Sequence, residues 1–283
     1  MVAYLILSYT LPALVERLVA TLRAGSPDAV VAVHHDDRRC ALGDVDALRI
    51  PPVPIEWGHG SQLAAVLRAL RRLRSHADFD WVVLLSGQDY PIRPVAEIEA
   101  ELRGADVDAF LQLAPVAPWR AQDEFVRRYR YRWRPARAGT RLARLDPLVH
   151  VRTLPSGTYI GFPARPPLAP YHGSDWVTLS RRAVDALLSA PAPVVDHFLH
   201  TLVPTEAFAH TVLAHSGLRL RDDARRYVSF AGASPNPRVL GLADLDAALA
   251  SGGHFARKFD DLAVLDEIDR RLTPSRGASP RGS

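Results

Sequence analysis

Short apolar runs alternate with stretches of helical periodicity from the start of the chain. Ala3 to Ser8 is an apolar run ending in the loop Tyr9-Thr10, and Leu11, Leu14, Val15, Leu18 and Leu22 then share one helical face. That pattern predicts a strand followed by a helix. Ala29 to Val33 is a second buried-type strand, ending in His34-His35-Asp36-Asp37, and Ser61 is placed to cap a helix running to about Ser75. Trp81 to Leu85 is a third, broken by Ser86-Gly87, after which Pro94 is placed to open a helix that ends near Arg103. Ala109 to Leu113 makes a fourth. Strands alternating with helices predict an α/β chain with a mostly parallel sheet and helices on both faces. Ligands of such sheets sit beyond the carboxyl ends of the strands, which directs attention to Ser8-Tyr9, His34 to Asp37 and Ser86 to Asp89.

Between Pro115 and Pro170 the alternation stops, and proline, arginine and aromatic residues dominate. This stretch reads as an insertion or lid, outside the sheet core. A strand at Asp175 to Leu179, a helix from Arg181 to Leu188, a helix around Thr205 to His215, a late strand at Arg226 to Phe230 and a helix from Leu242 to Ala250 are expected after it. Residues 1–272 are therefore read as a single domain, and 273–283, rich in Ser, Gly, Pro and Arg, as a disordered tail.

Composition narrows the class. A chain of 283 residues, 48% hydrophobic and 23% charged, has the material for one large core and excludes intrinsic disorder. Apolar runs stop well short of the ~18 residues that suggest a membrane span. Met1 leads almost directly into Tyr4-Leu5-Ile6-Leu7 without the features of a secretory signal, so the expected address is a bacterial-type cytoplasm, with peripheral membrane attachment left open. The single cysteine, Cys40, allows neither an internal disulfide nor a cysteine-based zinc site. Net charge is +4, carried by arginines and one lysine, Lys258. Coding bias accounts for arginine in place of lysine, so that lone lysine stands out.

Several constellations fail as sites. Asp36-Asp37 and Asp106-Val107-Asp108 have the oxygens a divalent ion wants, but neither is taken as a site, and Asp106 and Asp108 precede their strand, at the wrong end of such a sheet. His34 and His35 are adjacent on a strand and point to opposite faces. Gly58-His59-Gly60 is not a dinucleotide fingerprint, and neither Cys40 nor Ser86 has a nucleophile context. Glu206, in Pro204-Thr205-Glu206 ahead of an apolar run, is either a helix-dipole carboxylate or a base. Arg128-Tyr129-Arg130-Tyr131-Arg132-Trp133-Arg134 alternates strictly, so an extended backbone puts Tyr131 and Trp133 on one face and guanidiniums on the other.

Taken together, the chain from about Ala3 to Asp260 resembles the core-2/I-branching N-acetylglucosaminyltransferase and peptide O-xylosyltransferase family of inverting glycosyltransferases. The resemblance lies in Ile6-Leu7-Ser8, His35-Asp36, Trp57 with Ser61, Leu85-Ser86-Gly87-Gln88-Asp89-Tyr90-Pro91-Ile92, Gly173-Ser174-Asp175-Trp176, Pro204-Thr205-Glu206, Arg226-Tyr227-Val228 and Phe255-Ala256-Arg257-Lys258-Phe259-Asp260. It implies a GT-A-like fold and a UDP-sugar donor of the N-acetylglucosamine or xylose type. Ser86 to Asp89 offers one carboxylate where metal-using relatives of that fold carry Asp-X-Asp, which suits a metal-independent enzyme with no cofactor. The resemblance makes Glu206 the general base toward an acceptor hydroxyl and sets Arg257 and Lys258, with Arg226, against the leaving UDP. Asp36, Ser86 and Asp89 fall on the donor side; Ser174, Asp175, Trp176, Tyr131 and Trp133 fall on the acceptor or sugar side. Acceptor contacts are expected in 115–170, which the resemblance does not cover residue by residue. Nucleic acid is not expected as a partner, though a nucleic-acid binder working through the Arg128 to Arg144 strip and a non-catalytic sugar-binding module are the rivals to test.

Overall fold

The computed structural model describes residues 1–116, 124–136, 150–232 and 236–273; the expected tail beyond Thr273 and the part of the arginine strip from 137 to 144 lie outside them. The amino-terminal half follows the periodicity. Strand β1 (Val2–Ser8), helix α1 (Pro12–Gly25), β2 (Val30–His35), β3 (Leu48–Ile50), α2 (Gly60–His76), β4 (Trp81–Ser86), β5 (Asp89–Pro91), α3 (Val95–Arg103) and β6 (Ala109–Leu111) come in the anticipated order. Alternation along β1 divides the interior into two layers. Val2, Tyr4 and Ile6 point into one with Leu18 of α1 and Ile98 of α3, while Ala3 and Leu5 point into the other with Leu67 and Leu70 of α2. A strand buried on both faces must be apolar throughout, hence the unbroken run.

One detail at α2 differs from expectation. The helix is capped by His59, whose Nδ1 accepts from the Ser61 amide at 3.3 Å, whereas the Ser61 hydroxyl accepts from the Glu56 amide at 2.9 Å and ties down the preceding loop.

From residue 114 the chain leaves the main sheet. After β7 (Ala114–Pro115) and α4 (Glu124–Tyr129), strands β8 (Tyr131–Pro135), β9 (His150–Leu154) and β10 (Gly157–Pro163) form an antiparallel sheet of order β8-β10-β9. The proline- and arginine-rich stretch thus holds a sheet of its own, and β11 (Tyr171–His172) pairs antiparallel with β7 to bring the chain back.

After this detour β12 (Thr178–Ser180) runs antiparallel to both neighbours, β4 and β6. Helices α5 (Arg181–Leu188), α6 (Ala192–Leu199) and α7 (Phe208–Ala214) follow, then β13 (Leu220–Asp222). The main sheet has the order β13-β6-β12-β4-β1-β2-β3, and all its other neighbouring pairs are parallel. It is a mixed α/β sheet, and β12 is its departure from the parallel pattern. The expected helix around Thr205 to His215 is divided, a 3-10 turn at Pro204–Glu206 preceding α7. The chain closes with β14 (Arg226–Val228), α8 (Leu245–Ala250), β15 (Phe255–Arg257) and α9 (Leu262–Leu272), and β14, β15 and β5 make a small third sheet.

Candidate functional site

The carboxyl ends of β1, β2 and β4 open onto one region, and the site is built around the end of β4. The chain turns sharply at Gly87, where a Cβ would come within 2.8 Å of Val15 Cγ2 and 2.9 Å of Ser8 Cβ, so only glycine fits between β1 and α1. Gln88 is clasped to the segment after β15: its side-chain Nε2 donates to the Phe259 carbonyl at 3.0 Å, and its own carbonyl accepts from the Phe259 amide at 2.9 Å. The Ser86-to-Asp89 turn and the Arg257-Lys258 segment are therefore one unit.

Register explains the charge pair at its centre. In the antiparallel β5–β15 pairing, Asp89 stands directly opposite Arg257, and its fully buried carboxylate accepts from Arg257 Nε at 2.9 Å. The other oxygen accepts from the Ser86 amide. Asp89 thus fixes Arg257 and turns no free oxygen to a donor. The Arg257 guanidinium also lies 4.7 Å from the centre of the Trp176 ring, a cation–π contact. Next to it, Lys258 is half-buried, its backbone carbonyl accepts from the Leu240 amide at 2.9 Å, and its ammonium has no ion-pair partner among the described residues. Arg226 lies over the Phe255 ring at 4.9 Å and donates to the Leu84 carbonyl at 3.2 Å, with burial drawing its guanidinium down to about 10 against the opposing pull of Asp89. It remains a cation at neutral pH, used in part to brace β4.

On the other side of Trp176, the Gly173-to-Trp176 segment approaches the end of β4, where the Leu84 amide donates to the Val177 carbonyl at 3.0 Å. Gly173 donates its amide to the Glu206 carbonyl at 2.9 Å, and a Cβ on it would meet the Gln112 carbonyl oxygen at 2.3 Å and His210 Nε2 at 2.7 Å. Gly173→Ala is accordingly expected to destabilise the protein by about 1–3 kcal/mol in denaturant unfolding. An unchanged midpoint would mean that the neighbours give way. Ser174 accepts from the Trp176 amide at 3.3 Å and serves the turn.

The Glu206 side chain, about one-third exposed, accepts from Arg128 of α4 at 2.8 Å. Buried Asp175 is under the influence of a cation from each of the two charge pairs. Burial pushes its carboxyl above the ordinary carboxylate range, opposed by the Thr205 hydroxyl and by the charges of Arg257 and Arg128. One buried carboxylate therefore feels both the cation of the β15 unit and the cation that pairs with Glu206.

Other expected residues do different work. Asp36, at the end of β2, accepts from Arg38 at 2.7 and 2.9 Å and from the Ile55 amide at 3.0 Å; the Arg38 bonds hold its carboxyl well below the usual range. Its oxygens shape the 53–56 loop. Strand β8 keeps the anticipated alternation, yet Trp133 is only 4% exposed, packed with Tyr159, Leu202 and Val203, and its indole donates to the Arg127 and Arg128 carbonyls. Trp133 is core to the small sheet and offers no open face for stacking. Tyr131, beside it at a ring separation of 6.0 Å, is half-buried. His34 and His35 do diverge, His34 toward the Val53 amide and His35 toward Ser8 and the Cys40 carbonyl. Asp108 accepts from Arg182 and the Arg219 amide at the amino end of β6. Among the described residues no three His, Cys, Asp or Glu side chains gather as a metal would need, and no helix is long and apolar enough to cross a membrane. Arg128 is the site residue that local pattern reading could not supply, since it meets Glu206 across 78 positions.

A family model described as Core-2/I-Branching enzyme matches residues 2–246. The chain is 23% identical over 241 residues to xylosyltransferase sqv-6 of Caenorhabditis elegans, across 75% of the chain and 28% of that protein. It is 30% identical over 244 residues to xylosyltransferase 1 of Rattus norvegicus, across 76% of the chain and 27% of that protein. The chain spans roughly a quarter of the length of these curated relatives. Among solved structures it aligns with a nucleoside-diphosphate-sugar pyrophosphorylase from Vibrio cholerae RC9 at 11% identity and a TM-score of 0.36, over 78% of the chain and 90% of that one.

Proposed function

The chain belongs to the Core-2/I-branching enzyme family, and on that premise we propose that it is an inverting, metal-independent glycosyltransferase with a GT-A-like fold. It moves a sugar of the N-acetylglucosamine or xylose type from a UDP-sugar to an acceptor hydroxyl. Glu206 takes the proton of that hydroxyl as its oxygen attacks the anomeric carbon from the face opposite UDP. The bond to the diphosphate breaks with its electron pair, and Arg257 and Lys258 meet the charge that develops there. Asp89 and Trp176 hold Arg257 in place for that moment. Residues 1–272 form the catalytic domain, with the acceptor entering from the side of 115–170, and the enzyme works in the cytoplasm.

The observation that carries this reading is the pair of ion pairs, Arg257–Asp89 at 2.9 Å and Arg128–Glu206 at 2.8 Å, whose two cations both act on buried Asp175. An enzyme that separates a leaving anion from an incoming nucleophile needs a cation and a base on two sides of one centre, and a purely binding module has no use for the base. The arginine strip fits the nucleic-acid rival less well, because Arg128 pairs with Glu206 and Arg132 with Asp196, so both guanidiniums already have carboxylate partners within the chain.

The test is a panel of UDP-sugars titrated by calorimetry, with and without excess EDTA, followed by transfer to simple hydroxyl acceptors. One donor is expected to bind and be turned over equally well in EDTA. Loss of binding restored by manganese would overturn the metal-free mechanism. Salt-steep binding of nucleic acid, with a slope of about 0.7–0.9 log units per phosphate neutralised and no response to any nucleotide sugar, would favour the rival.

A further inference from the structure

A cavity of about 30 Å³ lies directly behind Asp175 and Trp176, walled mainly by apolar side chains such as Leu63, Val66 and Phe208. Three polar residues interrupt that wall, Gln62 from α2, Asp175, and Thr205 from the 3-10 turn. Gln62 Oε1, Asp175 Oδ1 and Thr205 Oγ1 are all buried and none is in good hydrogen-bond geometry with another described residue, although the Thr205 hydroxyl lies near enough to Asp175 to favour its anion. Native proteins seldom leave one such atom unsatisfied, because burial costs it the hydrogen bond it made to water. Three converging on one cavity is a constellation that asks for a common partner. The volume suits it: a water needs at least about 10–15 Å³ measured this way, and two to four polar neighbours. The valences match as well. A water can donate one proton to the Gln62 oxygen and one to the Asp175 carboxylate, while accepting from the Thr205 hydroxyl.

We propose that this cavity is a structural water site, and that Gln62 and Thr205 are positioning residues that act through the water to hold Asp175 charged under the influence of Arg128 and Arg257. The groups facing Asp175 agree with this. Arg257 on β15 and Arg128 on α4 favour its anion, the Tyr129 phenol stands close, and from α2 the group presented is the uncharged Gln62. Without the water the carboxylate would keep the two cations and the Thr205 hydroxyl and lose the link through the cavity to Gln62.

The prediction follows from linkage. A carboxyl held above its unfolded value subtracts stability once the pH exceeds that raised value, and subtracts nothing below the unfolded value. Drying the cavity raises Asp175 further, so the deficit of a dried variant grows from acid to neutral pH. Thr205→Val and Gln62→Met each remove one water ligand at nearly constant volume. Each is expected to lower the thermal midpoint at pH 8 by about 2–6 °C, at about 2–4 °C per kcal/mol for a chain of this size. At pH 4.5 the drop should be clearly smaller, and in an Asp175→Asn background it should no longer depend on pH. A high-resolution crystal structure of the parent is expected to place one water within hydrogen-bond distance of all three atoms. A water-free cavity, or deficits that are equal at both pH values and in both backgrounds, would overturn the proposal in favour of plain packing loss. No sugar donor enters these measurements, so their failure would leave the glycosyltransferase reading standing, and its failure would leave the water site standing.

Discussion

Glu206→Gln is expected to lower sugar transfer by ~10²–10⁴-fold while UDP affinity stays nearly constant. The substitution keeps the shape of the side chain and its backbone bond to Gly173, whose amide donates to the Glu206 carbonyl, and removes only the proton acceptor. The Arg128 pairing sharpens the expectation. At 2.8 Å the guanidinium favours the carboxylate as an anion, the form that accepts a proton, and orients it from α4. Arg128→Ala should therefore also reduce transfer, with the loss appearing in turnover more than in donor binding, because Arg128 pairs with the proposed base. If Glu206→Gln transfers at near the parental rate while unfolding at a lower temperature, Glu206 is a structural partner of Arg128 and the base lies elsewhere. Measuring turnover and melting on the same preparations separates these outcomes.

What the chain disclosed by pattern and what it withheld have distinct physical causes. The runs at Ala3 to Ser8 and Trp81 to Leu85 were legible as strands because both faces are buried, and Leu14, Leu18 and Leu22 marked α1 because one face is. The direction of β12 was not legible. A strand as short as Thr178–Ser180 reads the same in both directions, and its antiparallel pairing with β4 and β6 shows only in the fold. Those three strands were themselves hidden, since arginine at alternate positions of β8 looks like surface until Trp133 is seen to fill the other face. In the site, resemblance pointed to Glu206, Arg257 and Lys258 and put Asp36 and Asp89 on the donor side; what it did not disclose is that the oxygens of those two aspartates hold Arg38 and Arg257. A carboxylate's partner 168 residues away leaves no local trace. The cavity behind Asp175 was equally invisible, because Gln62 and Thr205 are unremarkable in sequence and become informative only when their buried atoms converge.

Lys258→Ala is expected to weaken UDP binding by about 1.5–3 kcal/mol, the scale of one charged hydrogen bond, and to lower turnover further. The structure sets apart two cations that sequence shows as neighbours. Arg257 is committed on two sides, to Asp89 at 2.9 Å and to the Trp176 ring at 4.7 Å, so its position is fixed before any ligand arrives. Lys258 is held through its backbone by Leu240, and its ammonium meets no carboxylate among the described residues. A preset guanidinium beside an ammonium without a carboxylate partner among the described residues leaves the second charge for the diphosphate, and charge is largest in the transition state, which is why turnover should fall more than affinity. Lys258→Arg restores the charge but brings a planar fork in place of a compact point charge, so only part of the loss should return. Asp89→Asn gives the contrasting case: Arg257 keeps its charge and loses its anchor, so the penalty should fall on turnover while UDP still binds through Lys258. Calorimetric titration of UDP into the parent and the three variants, paired with turnover, distinguishes these roles. A solvated surface lysine predicts that Lys258→Ala binds UDP and turns over like the parent, and that result would remove Lys258 from the leaving-group side of the mechanism.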